Sequence, residues 1–264
     1  MRVALRVAYE GTGFFGFERQ TQGRTVQDEL ETALLETYGR PIRVVPAGRT
    51  DAGVHAIGQV VHCDVDANVP VEKIPYALNS RLPPDVRVWE AHVVPSEFHA
   101  RKDAVRKRYV YRFDTRPIRL PFLRTFSAHV PGGLDVERMA EAARYLVGTH
   151  DFRAFRNLGS SARTTVRTVF RAEVFARGFD VFFLVEGDGF LYHMVRILAG
   201  TLWEVGRNRR TPEDVARLLT SGRREEAGPT APPEGLWLFH VYYPPHLLPD
   251  PPAVQLFDFP EDIR

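Results

Sequence analysis

The chain of 264 residues holds a single cysteine, Cys63, so no disulfide forms within it and no multi-cysteine metal site exists. Lysine is almost as scarce. Only Lys73, Lys102 and Lys107 occur, and every other basic side chain is arginine. Arginine offers a planar fork to phosphate and stacks on bases, although a compositional habit accounts better than function for the average arginine here. A charge excess is also missing: the formal net charge is +2, so overall charge does not announce a nucleic-acid binder. No apolar run approaches the length of a bilayer-spanning helix, and no membrane association is expected. The opening Met1-Arg2-Val3-Ala4-Leu5-Arg6 alternates apolar and charged residues and predicts a strand, not a secretory leader. The cytoplasm is the simplest compartment. His55, His62, His99 and His193 fall at no metal-ligand spacing, so no metal is expected.

Hydrophobic residues make up 44% and charged residues 26%, as in globular proteins, and the length allows one large domain or two. Strands are expected at Arg2–Tyr9, Ile42–Val45, Gln59–Val65 and Arg87–Val94. A helix should open at Thr25, where Thr25-Val26-Gln27-Asp28 resembles a capping box with Asp in place of Glu, and end at Gly39. A short helix is expected at Val71–Ser80. Near Glu97 to Lys102 the composition turns basic, which sets a join between two halves. The second half offers strands at Arg106–Phe113, Val166–Phe175, Phe179–Val185 and Leu236–Tyr243. Its helices are expected at Asp135–Val147 (stopped by Gly148), at Leu191–Val205, and from Thr211-Pro212-Glu213-Asp214 to Gly222. The fold class is therefore α+β, two similar halves, each a mostly antiparallel sheet with helices packed on it. The halves are residues 1–100 and 101–245, and a proline-rich tail covers 246–264.

Two segments invite chemistry. Gly11-Thr12-Gly13-Phe14-Phe15-Gly16 matches G-x-G-x-x-G after a strand, the dinucleotide fingerprint. That motif works only when a helix starts at its third glycine, and here the helix waits until Thr25, so the nicotinamide reading fails on context. Phe14, Phe15 and Phe17 beside Arg19 and Gln20 suit either core packing or RNA contact. The second segment is Ala47-Gly48-Arg49-Thr50-Asp51-Ala52-Gly53-Val54-His55-Ala56, which sets a carboxylate between glycines that allow a sharp bend and close approach of a substrate. Arg49 and His55 can add positive charge or hydrogen bonds. An isolated Asp-Ala-Gly would be a capped turn.

That ten-residue string resembles the signature of the tRNA pseudouridine synthase A (TruA) family. Further blocks are similar in order along the chain: Tyr9 to Gly16, Thr25 to Leu30, Phe98-His99-Ala100-Arg101, Lys107-Arg108-Tyr109, His193-Met194-Val195-Arg196 and Glu234-Gly235-Leu236. One departure stands out: the family usually has Gly-Trp-Gln where this chain has Gly16-Phe17-Glu18.

The resemblance implies a cofactor-free isomerase that turns uridine into pseudouridine at positions 38, 39 and 40 of the tRNA anticodon stem-loop. It implies a homodimer, with an active cleft between the two halves of each subunit. Asp51 matches the essential nucleophile, attacking either C6 of uracil or C1′ of the ribose. Arg196 matches the cation that keeps this carboxylate ionised, although an arginine on a half-buried apolar helix also snorkels without function. Tyr109 matches an active-site tyrosine that stacks on the base and assists loss of the C5 proton, and Arg49 matches a residue that holds the nucleotide out of the stack. Substrate contacts are expected from Arg49, Tyr109, His55, Arg101, Arg106 and Arg108, with Lys102, Arg163 and Arg167 as further phosphate candidates. The alternative is a tRNA-binding protein without catalysis.

Overall fold

The computed structural model describes residues 1–157, 159 and 163–251, so the tail from 252 onward lies outside the described residues. Ten strands form one sheet: β1 (Arg2–Tyr9), β2 (Val45–Pro46), β3 (His55–Asp64), β4 (Val86–Val93), β5 (Arg106–Asp114), β6 (Ala128–His129), β7 (Gly148–Asp151), β8 (Val166–Arg177), β9 (Asp180–Gly187) and β10 (Leu236–Tyr242). Their order is β4-β1-β3-β10-β5-β9-β8-β7, with β2 added to β3 and β6 to β5. Among the described residues five α-helices accompany them: α1 (Val26–Tyr38), α2 (Ile74–Asn79), α3 (Val136–Arg144), α4 (Met194–Gly206) and α5 (Glu213–Ser221). The architecture is the expected α+β mixture, and most strand pairs are antiparallel.

The halves meet in the middle of that sheet. β10 runs parallel to β3, pairing Trp237 with His55 and Leu238 with Ala56, and antiparallel to β5, pairing Leu238 with Tyr109. This register sets the end of the Asp51 segment beside the Tyr109 strand, 50 and more residues away in sequence. Period-two alternation on β5 sends Tyr109, Tyr111 and Phe113 into the main core and Val110 into a smaller cluster on the other face.

Thr25 caps α1 by accepting from the Asp28 amide, and its hydroxyl donates to the Asp28 carboxylate at 2.6 Å. Several boundaries differ from expectation: the strand expected at Ile42–Val45 shrinks to β2, β3 begins at His55 and not Gln59, and α2 proper covers only Ile74–Asn79, after a tighter turn at Val71–Lys73. α3 stops at Arg144 because Tyr145, Leu146 and Val147 switch to bonds three residues back, a tighter turn that drives Leu146 into the core. Gly148 is then the first residue of β7, not a helix stop. α4 starts at Met194, three residues later than expected, because His193 takes a left-handed conformation (φ 61) that no helix continues through.

Candidate active site

The Asp51 turn is pinned from several sides. The Tyr9 hydroxyl bonds the Thr50 hydroxyl at 2.8 Å, and Gln59 donates to the Gly48 carbonyl at 2.9 Å. The glycine-rich loop packs directly beneath it. Phe17 N–H donates to the Thr50 carbonyl, Gly53 N–H donates to the Phe14 carbonyl, and a Cβ on Gly16 would lie 2.7 Å from the Thr50 carbonyl oxygen. Gly53 has φ 79, which a side chain would oppose. The G-x-G-x-x-G string is thus a scaffold for the carboxylate turn, with Phe14 and Phe17 buried and Phe15 exposed.

Asp51 lies on the wall of a cavity of about 840 Å³ between the two halves. Glu18, Arg49 and Asp51 face it from the N-terminal half; Arg101, Lys107, Tyr109, Arg167, Phe190, His193, Arg196 and Leu236 face it from the other side. The Arg196 guanidinium, on the first turn of α4, donates through Nη1 to Asp51 Oδ2 at 3.1 Å. Its Nε donates to the Ala231 carbonyl at 2.8 Å, which fixes the plane of the fork. The Asp51 side chain is 24% exposed, so this pair sits at the edge of the dry interior. His193 Nε2 lies 3.4 Å from the same oxygen. Tyr109 is buried, with its ring edge-on to Phe190 at 5.1 Å. Burial, with Tyr9 and the Asp51 charge adding, pushes its phenol well up, so it stays protonated near neutrality.

Among the other expected contacts, Arg49 reaches the cavity with its guanidinium on the Glu18 carboxylate, at 2.7 and 2.6 Å. Arg101 lines the cavity and is exposed. His55 lies elsewhere. It is fully buried, stacks on Trp237 at 4.4 Å and accepts the Gly11 amide at Nδ1. Arg106 and Arg108 sit on the face of β5 opposite Tyr109, both on Glu186 (3.0 and 2.6 Å) and over the Tyr242 ring. Their even positions against odd Tyr109 dictate that placement. Lys102 is exposed, and Arg167 lines the cavity.

Lys107 is a cavity residue that the sequence did not single out. It shares the Tyr109 face, and its ammonium donates to the Ala47 carbonyl at 2.8 Å. Burial, with Arg101 and Arg167 adding, lowers its pKa to about 8. The odd spacing to Tyr109 was the available signal. Among the described residues no cluster of histidine, cysteine and carboxylate side chains could hold a metal ion.

The tRNA pseudouridine synthase family model matches residues 6–102 and 142–244. A tRNA pseudouridine synthase A of Anoxybacillus flavithermus is 47% identical over 92% of this chain and 98% of its own. That of Halalkalibacterium halodurans is 47% identical over 89% and 90%, and that of Bacillus pumilus 43% identical over 92% and 99%. With a family model across most of the chain and near full-length relatives above 40% identity, the chain belongs to the tRNA pseudouridine synthase family.

Proposed function

We propose that this isomerase converts uridines 38, 39 and 40 of the tRNA anticodon stem-loop into pseudouridine, with Asp51 as the nucleophile and without a cofactor. The observation that carries the reading is Asp51 held by Arg196 on the wall of a cavity that Tyr109 also faces. A uridine stacked in a helix cannot reach a recessed carboxylate, so the nucleotide must swing out, and a cavity of about 840 Å³ has room for it. Arg49 stands at the edge of that space to occupy the vacated position.

The chemistry conserves atoms. The Asp51 carboxylate attacks C6 of uracil or C1′ of ribose, and the N1–C1′ bond breaks. The uracil turns within the cavity, C5 bonds to C1′, and the C5 proton leaves while N1 gains one. On the C1′ route C5 displaces the Asp51 oxygen as the new bond forms; on the C6 route the Asp51–C6 bond breaks as the C5 proton leaves, and either way the carboxylate is returned. Arg196 keeps Asp51 ionised by a charge-assisted bond. Tyr109, neutral at physiological pH, stacks on the base and serves the departing C5 proton only as a relay, its hydroxyl passing its own proton on as the oxygen takes the new one. Arg101, Lys107 and Arg167 form a cationic wall for the phosphates beside the extruded uridine. Arg106 and Arg108 support β5 through Glu186 in this reading, and His55 supports the signature turn. The active unit is a cytoplasmic homodimer, which sedimentation of the purified protein measures.

The test is release of tritium from C5 of uracil in unmodified tRNA, with nothing added. Release from the expected three positions supports the reading; tight binding without release would leave only a tRNA-binding protein. Asp51→Ala should lower turnover by more than about 10³-fold while tRNA affinity stays within a few-fold. Substantial activity in that variant would remove Asp51 from the mechanism.

A further inference from the structure

Asp51 Oδ2 has two neighbours, and the second, His193, is itself held in a fixed chain of hydrogen bonds. The chain starts at Arg224. Its Nη1 donates to the Gly228 carbonyl at 3.0 Å, its Nη2 to the Thr230 hydroxyl at 3.2 Å, and its Nε to Asn157 Oδ1 at 3.1 Å. A guanidinium has only donors, so the Asn157 atom that faces it must be the amide oxygen. The amide nitrogen therefore points the other way, where it meets His193 Nδ1 at 2.7 Å. An amide nitrogen only donates, so Nδ1 accepts and carries no proton. In the neutral ring the proton is then on Nε2, the atom 3.4 Å from Asp51 Oδ2. Burial and the nearby Arg196 and Arg224 charges hold the His193 ring below its ordinary pKa against the opposing pull of Asp51. The left-handed backbone at His193, unusual outside glycine and asparagine, is what turns the ring toward both partners.

We infer that His193 is a positioning residue for the nucleophile: as the neutral Nε2–H tautomer, fixed by Asn157 and Arg224, it donates to Asp51 Oδ2 alongside Arg196 and leaves Oδ1 as the attacking oxygen. Among the described residues no group binds Oδ1. The distance of 3.4 Å is loose, as catalytic hydrogen bonds are before substrate fills a site. A neutral donor suits the task. An imidazolium would draw more charge from the carboxylate and could hand it a proton, whereas a neutral N–H orients it and leaves it nucleophilic. One loop braces both donors, since Ala231 holds Arg196 and Gly228 with Thr230 holds Arg224. This inference rests on the assignment of Asp51 made above.

The test uses the full chain and three variants. His193→Gly accepts the left-handed backbone and removes the ring, with its donor and its Asn157 and Tyr192 contacts, while His193→Gln restores an N–H at similar reach. We expect kcat for tritium release to fall roughly 10- to 100-fold in His193→Gly, with KM for tRNA within about threefold, and to recover most of that loss in His193→Gln. In wild-type protein at pH 7, nitrogen NMR of the ring should show the Nε2–H tautomer. Asn157→Asp, which puts an acceptor on Nδ1, should convert it to imidazolium or to the other tautomer and lower kcat in step. A wild-type ring protonated on Nδ1, or unchanged kcat in His193→Gly, would overturn the inference while leaving wild-type turnover intact. Absence of turnover in the wild-type enzyme would instead sink the Asp51 assignment itself.

Discussion

At the residue scale the cavity contains an internal competitor. Arg49 points at the space an extruded nucleotide would occupy, and Glu18 already holds it. Both side chains are about half exposed, so the pair contributes no more than about 1 kcal/mol, equivalent to roughly fivefold in an equilibrium constant. Releasing that hold is a cost that substrate phosphates or bases must offset. Glu18→Gln should therefore tighten tRNA binding by about two- to fivefold at low salt with kcat unchanged, and the gain should fade as salt screens the pair. Equal dissociation constants for the two proteins would show that the carboxylate does not compete. Glu18 was visible in the sequence as a departure from the family pattern. Its partner was not, because the two lie 31 residues apart and meet only where Gly16 packs on Thr50.

At the element scale, α4 and the loop that leads into β10 act as one support. A Cβ on Gly200 would fall 1.9 Å from the Pro229 carbonyl oxygen, and one on Gly228 would fall 2.6 Å from the Thr201 backbone. The Thr201 hydroxyl accepts the Gly228 amide at 3.0 Å. Gly200→Ala must push this loop away from the helix and take Ala231 away from Arg196. We expect about 2 kcal/mol of destabilisation by chemical denaturation and a loss of kcat larger than that of Glu18→Gln. A stable variant with full activity would refute the brace. The helices themselves were legible wherever sequence carries local signals: Thr25 and Asp135 as caps, and Gly222 as a stop. The start of α4 was not, because a left-handed histidine gives no such sign. Nor was β7, four residues paired only through β8, too short to show alternation. Asp51, Arg196 and Tyr109 were legible through the family signature. The His193 chain was hidden, since its members are 31 and 36 residues apart and only the fold joins them.

For the whole molecule, buried neutral histidines set the acid limit. His55 and His62 accept backbone amides from Gly11 and Ala100, and burial lowers each pKa to about 4. The unfolded chain, with histidines near 6.5, binds more protons between those values. Their contribution is therefore complete above about pH 6.5 and is lost as pH falls toward 4, on the order of 3 kcal/mol for His55 and less for His62, whose neighbouring charges solvent screens. Denaturant midpoints should drop across that window, and His62→Gln should flatten the slope. An equal slope in wild type and variant would show that His62 does not titrate between the states.

The parallel pairing of β10 with β3 has a consequence for synthesis. Among the described strands, the one that closes the sheet, Leu236–Tyr242, leaves the ribosome last, yet its place is at the centre. Until then β3 and β5 each present an edge that β2 and β6 cover only in part, able to pair with a neighbouring chain. A nascent chain halted before residue 236 holds nearly all of the described sheet but lacks the strand that joins β3 to β5, so making Leu236–Tyr242 is the step that seals both edges.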